Sequence, residues 1–470
     1  MPVLDRLRGI LGTAHVLTGD DTAPYRSDWT GKYVAEPLAV LRPETSDEVA
    51  AILRLASDTG TTVVPAGGRT GLTGATRADG VLMLSLERMN RIRNIQADSR
   101  IATVEAGVIL SNLHDAAAQH DLYFPLWFGA RGSATIGGAL STNAGGSNVL
   151  RYGSTRALCL GVEVVLADGR VMNLMSELHK DNSGYDLKDL FIGAEGTLGV
   201  ITAAVMKLVP APRAHATAML AVPTLAEALS VLNRLQAATG GAVEAFEFMP
   251  HSYLEQLHEL RPDLGLPFPQ IHDVTLLVEL GATAPRDCLP ASDGSIPLNT
   301  LLEDTLGGMM EEDLILDAII AQTEAQRMAF WARREAAAEI AVGQGHSVDA
   351  DVALPLNLIE NFLTRAYAAI QSLDPGAKNH VVGHLGDGNL HFGIFTTRVD
   401  PALDEAVTEA IEDIVADLDG SFSAEHGIGL SKLSSMQRRK DPVALEMMRA
   451  IKTAFDPKGI LNPGKTIPAR

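Results

Sequence analysis

The sequence predicts an α+β protein of more than one domain, and three observations carry that prediction. Up to residue 209, short strand-like runs alternate with single helical periods and are interrupted by two long glycine-rich blocks. Pro210-Ala-Pro212 then marks a boundary, because proline cannot continue a helix or a central strand. Beyond it, apolar runs and helical periods alternate in an antiparallel α+β rhythm. A chain of 470 residues also exceeds one simple core, so two or three domains are expected.

The elements follow in order. Residues 1–34 read as a helical lead-in and a loop. A strand is expected over 38–41. Thr45-Ser-Asp-Glu48 is a capping box, and Val49, Ile52, Leu53 and Ala56 follow at helical spacing. A strand at 61–64 completes a β-α-β unit and runs into the first glycine block, residues 65–74. Four glycines in ten residues suit either a long surface turn or a backbone cradle for a pyrophosphate. The block lacks the Gly-Lys-Ser/Thr ending of a Walker loop and the Gly-x-Gly-x-x-Gly of a nicotinamide-binding fold. Strands at 81–86 and 101–105 and a helix through Leu110, Leu113 and Ala117 lead to the second block, residues 132–146. It reads as a second loop. Two such loops in one domain suggest a large nucleotide held between two lobes. A hairpin over 158–174 turns at Asp168-Gly169, and a closing strand runs over 200–209. In the second half, strands are expected at 216–222, 243–249 and 274–280, and helices near 225–235 and over 323–342. Residues 283–298 read as a loop.

The net charge of −20 argues against nucleic acid and anionic membrane surfaces as partners. Two cysteines, Cys159 in an apolar run and Cys288 in a polar stretch, form no disulfide framework, which points to a reducing compartment. The N-terminus lacks a secretory apolar region, and no apolar run is long enough to span a bilayer. The expectation is a cytoplasmic protein, with attachment to the surface of the inner membrane left open.

The chemistry concentrates in residues 380–391, His-Val-Val-Gly-His-Leu-Gly-Asp-Gly-Asn-Leu-His. An apolar run, a Gly-Asp-Gly-Asn turn and a second apolar run make a β-hairpin. His384 and His391 stand one on each arm, near enough to share a metal ion. A single histidine beside a turn is usually a surface residue. The pair, followed by Glu425 and His426 in Ser423-Ala-Glu-His-Gly-Ile-Gly429, offers a third ligand and a proton acceptor. Asp387 reads as a turn former and His380 as structural.

With these blocks in this order, joined by 180–202 and 455–465, the chain resembles the FAD-linked D-2-hydroxyacid dehydrogenases. That family includes D-2-hydroxyglutarate and D-lactate dehydrogenases and the flavin subunit of glycolate oxidase, within the vanillyl-alcohol oxidase / p-cresol methylhydroxylase superfamily. The resemblance spans about residues 35–467. It implies an FAD-binding domain of two subdomains over 35–212, of the p-cresol methylhydroxylase type. It implies an antiparallel α+β cap, or substrate, domain with a metal site over 213–440, and a segment over 441–470 that returns to the FAD domain.

By that resemblance, Pro65, Gly67, Gly68, Arg69, Thr70, Gly71 and Leu72 of the first block hold the FAD pyrophosphate and neighbouring atoms. Gly132, Ser133, Thr135, Ile136, Gly138, Thr142, Asn143 and Gly145 of the second do the same. Glu195, Gly196, Gly199 and Ile201 would line the adenine–ribose side, and Asn462 joins the set. No histidine falls in either block, so the FAD is expected to be non-covalent. His384, His391 and Glu425 match the family's ligands for zinc or manganese, and His426 matches its base. Arg334 in Trp331-Ala-Arg-Arg-Glu335 matches the arginine that binds the substrate carboxylate, with Arg333 as the competing assignment. The expected reaction oxidises a D-2-hydroxyacid, D-2-hydroxyglutarate or D-lactate-like, to the 2-oxoacid, with hydride transfer to flavin N5. The electron acceptor stays open among a quinone, a cytochrome and an electron-transfer flavoprotein, and a homodimer is compatible.

Three positions depart from the family. Asp349 stands where many D-2-hydroxyglutarate dehydrogenases have lysine, Ala338 where they have threonine, and Arg69 where asparagine is common. An acid at 349 would repel a second substrate carboxylate. The alternatives are a flavin oxidase of another alcohol on the same fold, and a metallohydrolase whose glycine loops bind only phosphate.

Overall fold

The computed structural model describes residues 3–292 and 294–469. Met1 and Pro2 of the lead-in, Asp293 of the loop expected over 283–298, and Arg470 lie outside the described residues. The chain divides into two compact units. The first takes residues up to 145, residues 153–210, and residues from 425 on; the second takes residues 146–152 and 211–424. The return to the first unit therefore begins at Glu425, earlier than the 441 expected from sequence.

The first unit holds two sheets, as two subdomains require. In one, Ala39–Leu41 and Val63–Ala66 both run parallel to Leu82–Ser85, and Val16–Leu17 adds an antiparallel edge. Helix Ser46–Thr59 makes the crossover. Thr45 caps it by accepting the Glu48 N–H at 3.2 Å, and Gly60 ends it at φ 64°. Its buried face carries Val49, Ile52, Leu53 and Ala56, the positions the periodicity picks out. The other sheet is antiparallel, in the order Ile92–Gln96, Ile101–Glu105, Val200–Lys207, Cys159–Val165 and Val171–Leu174. Ile92–Gln96 has no apolar alternation to announce it; it is a half-exposed edge strand.

The second glycine block is not all loop. Residues Ile136–Thr142 form a helix, with the Thr135 hydroxyl accepting the Gly138 N–H at 3.2 Å. A Cβ on Gly137 would lie 2.6 Å from the Ala106 Cβ, so glycine here permits helix-on-strand approach rather than loop conformation. The C-terminal residues close the unit: Leu461 bridges Val63 in parallel and is buried with Leu82 and Leu84.

The second unit is built on a seven-stranded antiparallel sheet. Its order is Asp317–Ile320, Ala214–Val222, Val274–Ala282, Val243–Pro250, Lys378–His384, Asn389–Phe395 and Val348–Ala353. One face is apolar and is covered by helices Leu225–Thr239, Pro297–Glu311, Ile359–Leu373 and Pro401–Asp417. Phe246, Phe248, Phe362 and Phe392 are fully buried there, each worth about 1.5–3 kcal/mol of burial. The other face meets helices His251–Leu260, Glu324–Glu335 and Ala337–Gly343. The single helix expected over 323–342 is broken at Ala336. The break lets Ala336, Ala337 and Ile340 join the apolar cluster of Phe330 and Trp331.

Both cysteines are free and buried. Among the described residues no helix is long and apolar enough to cross a membrane.

Candidate active site

In the second unit the sheet face that carries His384 also carries Glu247, Asp351 and His380 as buried polar side chains. The predicted hairpin is present, with strands Lys378–His384 and Asn389–Phe395. Its turn closes through the Gly388 N–H to the His384 carbonyl at 3.1 Å. Gly388 has φ 83°, and a Cβ there would sit 2.2 Å from the Leu354 carbonyl oxygen, so the turn needs glycine twice over. His384 pairs with Asn389 and His391 with Val382, so the two histidines are diagonal rather than opposite neighbours. The period of two still puts both on one face. Their ring centroids lie 5.4 Å apart at 85°, with ligand nitrogens within 4.8 Å. One ion can be shared at that separation.

Each imidazole has a carboxylate behind it. His384 Nδ1 is 2.8 Å from Glu247 Oε1, and His391 Nδ1 is 3.8 Å from Asp351 Oδ1. Both acids are buried. Asp351 also accepts from Asn389 Nδ2 at 3.0 Å and from the Ala424 N–H at 3.2 Å. Glu425 continues the chain directly from Ala424. Sequence reasoning missed Glu247 and Asp351. The available signal for the first was a charged residue inside the apolar strand run Phe246-Glu-Phe248.

Arg334 is 92 % buried, and its Nη2 has no hydrogen-bond partner among the described residues. Its Nε stands 2.9 Å from Glu247 Oε2, an ion pair whose N–H points off the oxygen. Burial pushes the Glu247 carboxyl up, but His384 and Arg334 beside it more than offset this and hold it below its ordinary value. The arginine helix is bolted down one turn at a time. Thr323 and Gln326 form its capping box, and Glu279 receives Arg327 through two nitrogens at 2.7 Å and Trp331 Nε1 at 2.9 Å. Residues 327, 331 and 334 recur at helical spacing, so the same face that is pinned presents Arg334. Arg333 points away, to the carbonyls of Gly265 at 3.0 Å and Ala329 at 2.8 Å. The two arginines thus have different surroundings: Arg334 lies beside Glu247 and Arg333 does not. Asp349 pairs with Gly393, on the His391 face, and accepts the Ser347 hydroxyl at 2.8 Å. Ala338 is exposed.

His380 closes the row as a structural residue. It is buried, its Nδ1 is 2.7 Å from Gln256 Oε1, and its ring meets Tyr253 edge-on at 5.5 Å. Burial pushes its pKa from 6.5 down to about 4. As pH falls through 6.5 the unfolded chain takes up a proton here that the folded one refuses until about 4. Stability therefore drops across that window, by up to about 1.4 kcal/mol per pH unit from this group. Urea midpoints measured from pH 7 to 4 should fall less steeply in His380→Gln; parallel slopes would contradict this.

In the first unit the two glycine blocks lie against each other. A Cβ on Gly67 would meet Thr135 Oγ1 at 2.4 Å, and one on Gly68 would meet the Ser133 carbonyl at 2.0 Å. Arg69, Asn143, Glu195 and Asn462, all expected around FAD, hold left-handed backbone at φ 55°, 50°, 50° and 44°. Such strain in non-glycine residues gathers at binding sites. Arg69 lies over the Tyr25 ring at 4.6 Å, and its buried Nη1 has no hydrogen-bond partner among the described residues. Pro65, Thr70, Gly71 and Leu72 share its loop, and Gly132, Ile136, Thr142 and Gly145 flank or form the helix of the second block. Glu195 and Asn462 have their side chains committed within the unit. Glu195 accepts the N–H groups of Ile428 at 2.8 Å and Gly429 at 2.9 Å. Asn462 donates to the Glu195 carbonyl at 2.8 Å and accepts from Lys465 Nζ at 2.7 Å. Gly199 is tight against Val164 and Phe191, Gly196 faces Pro65, and Ile201 is buried in its strand. The Glu195 clamp fixes the loop that carries His426, whose Nε2 is 3.9 Å from Glu425 Oε1.

Comparison with known proteins places the chain in a family. Residues 37–175 match the FAD binding domain family and residues 211–466 the family of FAD linked oxidases, C-terminal domain. The chain is 36% identical over 451 residues to D-2-hydroxyglutarate dehydrogenase of Xanthomonas citri pv. viticola, covering 95% of this chain and 92% of that one. It is 38% identical over 453 residues to the mitochondrial D-2-hydroxyglutarate dehydrogenase of Bos taurus, covering 96% and 80%. The solved structure of p-cresol methylhydroxylase with substrate bound superposes with a TM-score of 0.74 at 16% identity, covering 99% of this chain and 96% of that one. That last likeness carries the fold, which is the α+β type expected.

Proposed function

This chain belongs to the family of FAD-linked D-2-hydroxyacid dehydrogenases, and we propose that it oxidises a D-2-hydroxyacid to the 2-oxoacid with a divalent metal ion held by His384, His391 and Glu425. The observation that carries the substrate class is the orphaned Nη2 of Arg334. A buried N–H without a partner costs roughly 1–3 kcal/mol, and more on a charged group. A carboxylate is the planar anion that a guanidinium edge satisfies. Family membership sets the metallohydrolase alternative aside.

The residues fit both groups. Two imidazoles and a carboxylate suit zinc or manganese. The left-handed residues and the unpartnered Arg69 nitrogen suit a bound pyrophosphate, and the glycine blocks bring backbone close enough to hold it. When bound, FAD supplies the acceptor for a hydride, and the ion supplies Lewis acidity at the substrate hydroxyl. The chain's own residues do the rest. Arg334 holds the carboxylate. His426 takes the hydroxyl proton as the general base. The C–O bond becomes a carbonyl as the C2 hydrogen leaves with its electron pair, so proton and hydride together balance the oxidation. D-2-hydroxyglutarate, named for the relatives, carries a second carboxylate that Asp349 would repel, so a D-lactate-like acid is the better fit. An electron acceptor outside the chain must then reoxidise the flavin.

An anaerobic screen of flavin bleaching tests this. D-2-hydroxyacids should bleach the flavin and their L-enantiomers should not. Chelator-stripped enzyme should bleach about 10²-fold more slowly and recover with Mn²⁺ or Zn²⁺. Bleaching that ignores the chelator would remove the metal from the reaction, and equal bleaching by L-acids would remove the stereochemical assignment.

A further inference from the structure

We propose that Glu247 is a positioning residue that sets both ends of the substrate arrangement at once: it fixes the tautomer and plane of His384 and the plane of Arg334. The proposal rests on the reading of His384 as a metal ligand and Arg334 as the carboxylate anchor.

Glu247 lies in strand Val243–Pro250, and its Cα partner in the next strand is His384. Opposite partners place their Cβ atoms about 5 Å apart on one face. Phe246 and Phe248 on either side are sunk in the apolar core of the other face, so the strand cannot slip or turn without exposing them. Glu247 is 0 % exposed and has no solvent to share its charge. Its two oxygens face two partners: Oε1 is hydrogen-bonded with His384 Nδ1 at 2.8 Å, and Oε2 is ion-paired with Arg334 Nε at 2.9 Å.

Each partner is constrained by the chemistry of a carboxylate. An ionised carboxylate only accepts, so the proton of the neutral ring must sit on Nδ1, and Nε2 carries the lone pair that a metal needs. A guanidinium is planar. An ion pair at its Nε edge restricts the direction of Nη2, which has no hydrogen-bond partner among the described residues. One buried acid therefore couples the orientation of the ion's ligand to that of the carboxylate's anchor. Glu279 performs no such double service; it fastens the helix two turns earlier, through Arg327 and Trp331.

Glu247→Gln is the informative change. It keeps size and shape but leaves one accepting oxygen for two donors, so the amide nitrogen must face one of them. In FAD-loaded, chelator-stripped protein titrated calorimetrically with Mn²⁺, the variant should bind about 10- to 100-fold more weakly than wild type. The KM for the hydroxyacid should rise about tenfold while FAD content stays at one per chain. Wild-type Mn²⁺ affinity and KM in a folded variant would overturn the proposal. If the variant does not fold, ¹⁵N spectra of the histidines in the wild-type protein decide. An Nδ1–H tautomer at His384 supports the role, and an Nε2–H tautomer overturns it. Failure of the underlying reading looks different: wild-type protein would itself bind no Mn²⁺, whatever the variant does.

Discussion

Arg334→Lys should lower kcat/KM for a D-2-hydroxyacid by roughly 30- to 3,000-fold while FAD stays bound. Losing a buried charged hydrogen bond costs about 2–5 kcal/mol, and each 1.4 kcal/mol is tenfold. Lysine keeps the charge opposite Glu247, so the pair is not simply left broken. It lacks the planar fork, though, and a single ammonium cannot both meet Glu247 and present a second nitrogen to substrate. Arg333→Lys is the control. Its guanidinium goes to two backbone carbonyls away from this face, so its effect should stay within about threefold. Equal losses in the two variants would show that the helix, and not the Arg334 fork, is what matters.

His426→Ala should slow substrate-driven flavin reduction by about 10²- to 10⁴-fold, the range for a lost general base. The loop should survive the change. It is held through the backbone N–H groups of Ile428 and Gly429 by Glu195, and a Cβ on Gly429 would already clash with Thr73 at 2.3 Å. FAD content and thermal midpoint should therefore match wild type. Stopped-flow absorbance under anaerobic conditions gives the rate. A fall of less than threefold would remove His426 from the proton transfer.

What could be read from the sequence was local. The hairpin was legible because Gly386 to Asn389 sit between two apolar runs, and the capping-box pattern from Thr45 announced its helix. What could not be read depended on distant partners. The diagonal register of His384 and His391 follows from the turn geometry, which the residue types alone leave open. Gly137 looked like loop chemistry because its reason, Ala106, is elsewhere in the chain. The early return at Glu425 is held by Glu195, 233 residues before Ile428. Arg333 and Arg334 are adjacent in sequence, and only the helix phase set by Glu279 separates them. Glu247 shows the same limit, since its histidine lies 137 residues on.

The bridge between Val63 and Leu461 also bears on how the molecule is made. A ribosome delivers the first strands of the flavin half early and their last partner late. At about 5–20 residues per second, roughly 10–50 s separate the emergence of residue 210 from that of residue 461. During that interval residues 211–424 emerge and can fold around their own sheet. The nascent flavin half waits with the apolar edge beside Val63 uncovered.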